Sequence, residues 1–399
     1  MQFFPDLSNH FQFLRTLGHA YNGAADLGEC LETAARITPG DDASWYRAWQ
    51  ATADRVFAVA ERCAAGGHGV SAGEAYLRAS NYYRTAEFYL PLVPNDPRKL
   101  NTARRSRESF HKAVPFLPLT IEAVEIPYEG TTLPGYVIKA PSSTGRAPTV
   151  LCHTGFDGTN EEIALAPGFA AAARGYTYIA FEGPGQGRVV REQRLPFRPD
   201  WEQVVGAVLD FALARADVDA GHVALIGISF GGNLAPRAAA REPRLAALVA
   251  NGGVYSFYDP IATRLPIDPL AADPDQLEAA LRPVMVQLTE GRLFLNQAMR
   301  CFGVERLYDM FKVIKAYDVT EADRIRCPTL IIDTEGENLL PGQARTLFER
   351  LTCPKTFLLF QASEGAGAHC QVGAKAISAQ RIFDWLDDVF AGKPVPPTA

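Results

Sequence analysis

No run of about 18 uninterrupted apolar residues occurs in the chain, so a helix spanning a bilayer is not expected. The first residues, MQFFPDLSNHFQFL, show no basic segment ahead of an apolar core and no small-residue cleavage pattern, so no signal peptide is expected. Cationic clusters are scarce as well. The longest is Arg104, Arg105 and Arg107, which reads as a solvated helix face, and the net charge is -6. Nucleic acid and anionic membranes are therefore not expected partners. The 7 cysteines stand at positions 30, 63, 152, 301, 327, 353 and 370 with no CxxC pair, which argues against a disulfide framework and for a reducing cytoplasm. No zinc-like ligand spacing exists. The string FEGPGQGR lacks the Lys-Ser/Thr ending and the spacing of a nucleotide loop, so it reads as a turn beside a site. Neither metal nor cofactor is expected.

What is present is ample material for a core. A chain of 399 residues with 47% hydrophobic and 21% charged residues is long enough for two domains, or one large domain with an accessory part. The first 115 or so residues carry helical periodicity. Trp45, Ala48, Trp49, Val56, Val59, Ala60 and Cys63 recur at three-to-four spacing, and Ala75, Ala79, Tyr82, Tyr83, Ala86 and Tyr89 repeat the pattern over Ala72 to Leu92. After Pro115 the pattern changes to two short strands around Glu129-Gly130. Strand-like apolar runs follow at Pro148 to His153, Tyr176 to Phe181, Val223 to Ile228, Leu245 to Asn251, Thr329 to Asp333 and Thr356 to Leu359. Helix-length segments separate most of them, which predicts a mostly parallel sheet covered on both faces. One connection is long: roughly 75 residues separate Asn251 from Thr329, so this insertion (252–326) should hold its own helices, over Gln276 to Met299 and Val304 to Ala316.

The sharpest motif is VALIGISFGG, where an apolar strand meets Gly227-Ile228-Ser229-Phe230-Gly231 and then a helix from near Asn233. G-x-S-x-G between strand and helix is the context of a nucleophile elbow, in which a serine on a strained turn projects above the sheet. The plain alternative is a capping serine in an ordinary turn. A serine hydroxyl needs a base to take its proton. His369, in EGAGAHCQVGA after the last strand, is the one late histidine placed for this, its plain alternative being a surface loop residue. The acid that orients it should follow the preceding strand, in CPTLIIDTEGENLLPGQA, where Asp333, Glu335 and Glu337 are candidates; Pro341 four residues on points to Glu337. Backbone N–H groups of Phe230 and of Phe156, in HTGFDGTNEE, are the candidate oxyanion donors. His153 and Asp157 flank the second and are candidates for touching substrate or for structuring the loop.

Together GISFGG, FEGPGQG, HTGFDGTNEE, CPTLII, EGAGAHC and the helical YLRASNYYRTAEFYL are similar to the α/β-hydrolases related to 2,6-dihydroxypseudooxynicotine hydrolase and to the fungal polyketide-shortening hydrolases of pigment pathways. The resemblance covers nearly the whole chain. It implies an α/β-hydrolase fold with a helical N-terminal cap domain (1–115) on a catalytic domain (116–399), a small-molecule site between them, and homodimers. It implies cleavage of carbon–carbon bonds of aryl or polyketide β-dicarbonyl compounds, or of esters. The triad positions fall on Ser229, Glu337 and His369, with an acidic helper near Asp259. Two departures are Thr154, where the oxyanion loop commonly has glycine, and the glutamate acid. A carbanion leaving group would need a further donor, for which Tyr82, Tyr83 and Tyr89 are candidates beside their ordinary role in packing. The same triad would serve a cyclase, lactonase or acyltransferase, and a non-catalytic binding protein on this fold is the alternative of another class.

Overall fold

The computed structural model describes residues 2–90, 96–141, 145–265, 267–287, 289–396 and 398. Helices come first: α1 (Leu7–Leu17), α2 (Leu27–Ala34), α3 (Asp42–Ala65), α4 (Gly69–Glu87) and α5 (Pro97–Ala113). The Asp6, Asp26, Asp41 and Asp96 side chains accept N–H groups at the starts of α1, α2, α3 and α5, satisfying donors that have no partner inside a helix. α4 is buried on nearly every face, as a helix central to its bundle must be. Its Tyr82 ring packs 5.4 Å from Trp49, and Trp45 donates from Nε1 to Thr85 O at 2.8 Å. The predicted continuation to Leu92 runs past residue 90, outside the described residues. Arg105 is not merely solvated: its guanidinium lies 4.1 Å from the Phe57 ring centroid, and Arg107 pairs with Glu192 at 3.1 Å.

The strands are β1 (Thr120–Tyr128), β2 (Thr131–Lys139), β3 (Ala147–His153), β4 (Thr177–Phe181), β5 (Val218–Ile228), β6 (Ala247–Asn251), β7 (Thr329–Thr334) and β8 (Lys355–Phe360). They form one sheet in the order β1-β2-β4-β3-β5-β6-β7-β8. β1, β2 and β4 pair antiparallel, and the remaining pairs are parallel. Glu129 and Gly130 both take positive φ in the β1–β2 turn, the backbone that a two-residue hairpin requires. Both faces are buried. Val150, Ile226, Val249 and Ile332 pack in one core; their neighbours Leu151, Leu225, Leu248 and Ile331 pack in the other, as strand alternation dictates.

The first of these cores also contains Phe13, Trp45, Trp49 and Tyr82, so the N-terminal helices and one sheet face share a continuous apolar interior. Between β6 and β7 the chain forms the short helix Asp259–Ala262 and the longer helices Pro274–Gln287, Thr289–Cys301 and Leu307–Ile314, where the sequence pattern predicted two. Residue 288, inside the predicted Gln276 to Met299 helix, lies outside the described residues. Among the described residues no helix is long and apolar enough to cross a membrane.

Candidate active site

β5 ends at Ile228 and the helix Gly231–Ala239 starts three residues later, leaving Ser229 on the turn between them. Its φ is 63°, a conformation that costs a non-glycine residue on the order of 1–3 kcal/mol and that the surroundings must impose. They do so through Ser229 N donating to Asn251 O at 2.8 Å and Gly232 N donating to Ser229 O at 2.7 Å. A Cβ on Gly227 would stand 2.0 Å from Gly231 O, so the tight turn excludes a side chain there.

His369 approaches from the loop after β8. Cys370 and Gln371 both take positive φ (50° and 49°), which folds this loop back over the strand ends. His369 Nε2 is 2.9 Å from Ser229 Oγ, and its Nδ1 is 2.5 Å from Glu337 Oε2. Of the three candidate carboxylates, only Glu337 meets the ring. Its Oε1 accepts the N–H groups of Leu339 (2.9 Å) and Leu340 (3.2 Å), which turns Oε2 toward His369. Asp333 instead accepts from Thr334 N, and Glu335 from Ala362 N. Burial opposes the charged forms of both partners. It is outweighed at His369, whose neighbours Cys370 and Glu337 hold the imidazolium well above its ordinary range, and at Glu337, which the bond to His369 lowers. Such a chain equips a hydroxyl to lose its proton.

Beside the elbow, a Cβ on Gly155 would come 2.4 Å from Phe230 N, so the loop after β3 lies directly against the first backbone donor. That loop is braced from behind. Thr154 O accepts from Gln186 Nε2 at 2.5 Å and lies 2.9 Å from His153 Nδ1, while Trp201 Nε1 donates to His153 Nε2 at 3.3 Å. Burial pushes His153 down to about 4, which leaves its ring neutral, donating through Nδ1 and accepting at Nε2. His153 therefore structures the loop and is absent from the cavity wall. The FEGPGQG turn, through Gln186, is part of the same brace. The Phe156 ring sits within 6 Å of the Phe230, Phe257 and Phe302 rings.

Above Ser229 lies a cavity of about 1330 Å³. Leu7, Phe11 and Leu14 of α1 line one side; Ile261, Leu265 and Met299 of the insertion line another. Asp157 and Tyr89 are in the wall, Asp157 paired with Arg15 at 3.0 Å and Tyr89 OH 3.0 Å from Ser8 Oγ. Tyr82 and Tyr83 are not brought to it. Tyr82 donates to Glu29 and Tyr83 to Asp54 inside the helical bundle, because α4 turns those positions inward. Nor is Asp259, which stands on the surface 3.3 Å from Lys315. Three wall residues carried no sequence signal: Arg15 and Phe11 lie on an unremarkable amphipathic helix, and Cys370 only gains meaning 3.3 Å from His369 Nε2.

Residues 149–370 match the pattern of the Alpha/beta hydrolase family. Hydrolase LUC6 of Fusarium sp is 35% identical over 414 residues, covering 98% of this chain and 98% of its own. 20-hydroxy-prefusarin hydrolase FUS2 of Gibberella moniliformis (strain M3125 / FGSC 7600) is 36% identical over 413 residues, covering 96% and 97%. Among solved structures, 2,6-dihydroxy-pseudo-oxynicotine hydrolase superposes with a TM-score of 0.76 at 25% identity, over 96% of this chain and 98% of its own. The chain belongs to the alpha/beta hydrolase family and is an enzyme with hydrolase activity.

Proposed function

We propose that this hydrolase works through an acyl-enzyme on Ser229. The observation that carries the reading is the unbroken chain from Ser229 Oγ to His369 Nε2 (2.9 Å) and from Nδ1 to Glu337 Oε2 (2.5 Å), set on a strained elbow. His369 takes the Ser229 proton as Oγ attacks a carbonyl carbon, and the electron pair of the carbonyl moves to oxygen. N–H groups of Phe230 and Phe156 receive that oxyanion, a term worth about 10²–10³ in rate per donor. When the tetrahedral intermediate collapses, His369 returns the proton to the leaving group. Water then attacks the ester carbonyl with His369 as base, releasing a carboxylic acid and free Ser229.

The substrate fills a space walled by both the N-terminal helices and the insertion, which fits residues 1–115 as a cap on a catalytic unit of residues 116–399. Two of the relatives are hydrolases named for 20-hydroxy-prefusarin and 2,6-dihydroxy-pseudo-oxynicotine. We take the bond cut to be an ester, or the carbon–carbon bond of an aryl or polyketide β-dicarbonyl compound. The test is labelling with a fluorophosphonate followed by peptide mapping. Modification at Ser229 that is lost in Ser229→Ala supports the reading; an unlabelled wild-type protein overturns it.

A further inference from the structure

Most charges in the cavity wall are matched. Glu162 accepts two bonds from Arg15, at 2.6 and 2.5 Å, and a third bond from Arg15 reaches Asp157 at 3.0 Å. Farther along, Glu87 pairs with Lys99 at 2.9 Å and Arg191 at 2.7 Å. Among the described residues Lys375 has no ion-pair partner, and unlike the wall residues Arg300 and Glu305, which also have none, it is not exposed. It is the first residue of the helix Lys375–Phe390, six residues after His369, and it lines the same cavity as Ser229. The groups whose charges act on it are Glu162, Cys370, Arg15 and Arg84. Among the described residues none accepts a hydrogen bond from its ammonium.

A partly desolvated cation without an acceptor is costly, and proteins retain one where a ligand supplies the missing charge. Glu162 acts on Lys375 through its charge and not through a hydrogen bond; its oxygens are bonded to Arg15, and Arg84 adds a second positive charge beside it. Three cations, Arg15, Arg84 and Lys375, thus stand around two carboxylates, Asp157 and Glu162. Desolvation lowers the Lys375 pKa in spite of Glu162. An anion beside the ammonium would reverse that.

We propose that Lys375 binds an anionic oxygen of the substrate, so that the cavity selects carbonyl compounds carrying a carboxylate or an ionised enol. A charge-assisted bond of this kind is among the stronger single contacts a ligand can make. The proposal rests on Ser229 being the reacting centre, and fluorophosphonate labelling reports on that separately.

The experiment compares p-nitrophenyl hemiglutarate with its methyl ester, which is neutral and nearly the same shape. The wild-type enzyme should favour the carboxylate by about tenfold in kcat/KM, carried by KM. Lys375→Met should bring the ratio to near one, and Lys375→Arg should restore part of it. To separate the two sources of the anion, a cyclic 1,3-dione and its enol methyl ether are compared as competitive inhibitors; tighter binding by the ionised dione alone assigns the site to enolates. A wild-type enzyme that labels at Ser229 yet prefers neither anion overturns the proposal whether or not the variants fold. So does a Lys375→Met enzyme that keeps the wild-type preference.

Discussion

Gly18, at the C-terminal end of α1, lies so close to Val372 that a Cβ on it would stand 2.1 Å from the Val372 carbonyl oxygen. Val372 belongs to the loop that carries His369, and the Phe11 ring of α1 lies 6.5 Å from the His369 ring. The N-terminal helices thus touch the base of the proposed mechanism as well as roofing the cavity. Gly18→Ala forces backbone away from backbone, a strain of about 1–3 kcal/mol. Displacement of Val372 would move His369 with it, so kcat/KM should fall by about tenfold or more while the far-ultraviolet circular dichroism is retained. A variant with a lowered melting temperature and normal kcat/KM would show that α1 does not position His369.

Glu337→Gln should move the pH profile in a defined direction. While His369 is protonated it cannot accept the Ser229 proton, and its pKa is held above the ordinary 6.5. Activity should therefore fall on the acid side of a midpoint above that value. Removing the carboxylate withdraws support for the imidazolium, so the midpoint moves to lower pH as the rate drops by about two to four orders of magnitude. The sign also applies to stability. A raised histidine pKa stabilises the fold below its unfolded value and that contribution disappears as pH rises through the folded one, so the variant should lose more stability in mildly acidic than in alkaline buffer. Rate profiles and melts across pH check both.

Cys370 should make the enzyme sensitive to small alkylating reagents. Cys370 is in the cavity wall and its Sγ is 3.3 Å from His369 Nε2, so a carbamidomethyl group there would crowd the base. Iodoacetamide should abolish turnover, and Cys370→Ala should resist it; mass spectrometry identifies the modified residue. Alkylation at Cys370 with full activity remaining would contradict the geometry.

Deleting residues 1–115 should yield an aggregating or inactive remainder. Phe13, Trp45 and Tyr82 share one core with Val150 and Val249, so the truncation bares the apolar surface on which the N-terminal helices dock. Sedimentation and fluorophosphonate labelling of the truncated chain are the measurements. A well-folded remainder that retains full activity would remove the roof from the account.

Much of the site was legible because its chemistry is encoded locally. A strand, a G-x-S-x-G turn and a helix specify where Ser229 stands, since the elbow's backbone demands small residues on both sides. Chain order and Gly-rich flanks singled out His369. The sequence narrowed the acid to three neighbours, among which the position of Pro341 pointed to Glu337. Only the turn that commits Glu337 Oε1 to two backbone N–H groups aims Oε2 at the ring. Tertiary structure also decided between polar residues that look alike in the chain. It buried His153 against Trp201, turned Tyr82 and Tyr83 inward, and left Asp259 at the surface. In turn it brought Arg15, Cys370 and Lys375, up to 360 positions apart in sequence, to one cavity. Local spacing sets which groups share a strand, turn or helix face. Which distant groups meet, and which charge is left without a partner, depends on how those elements pack.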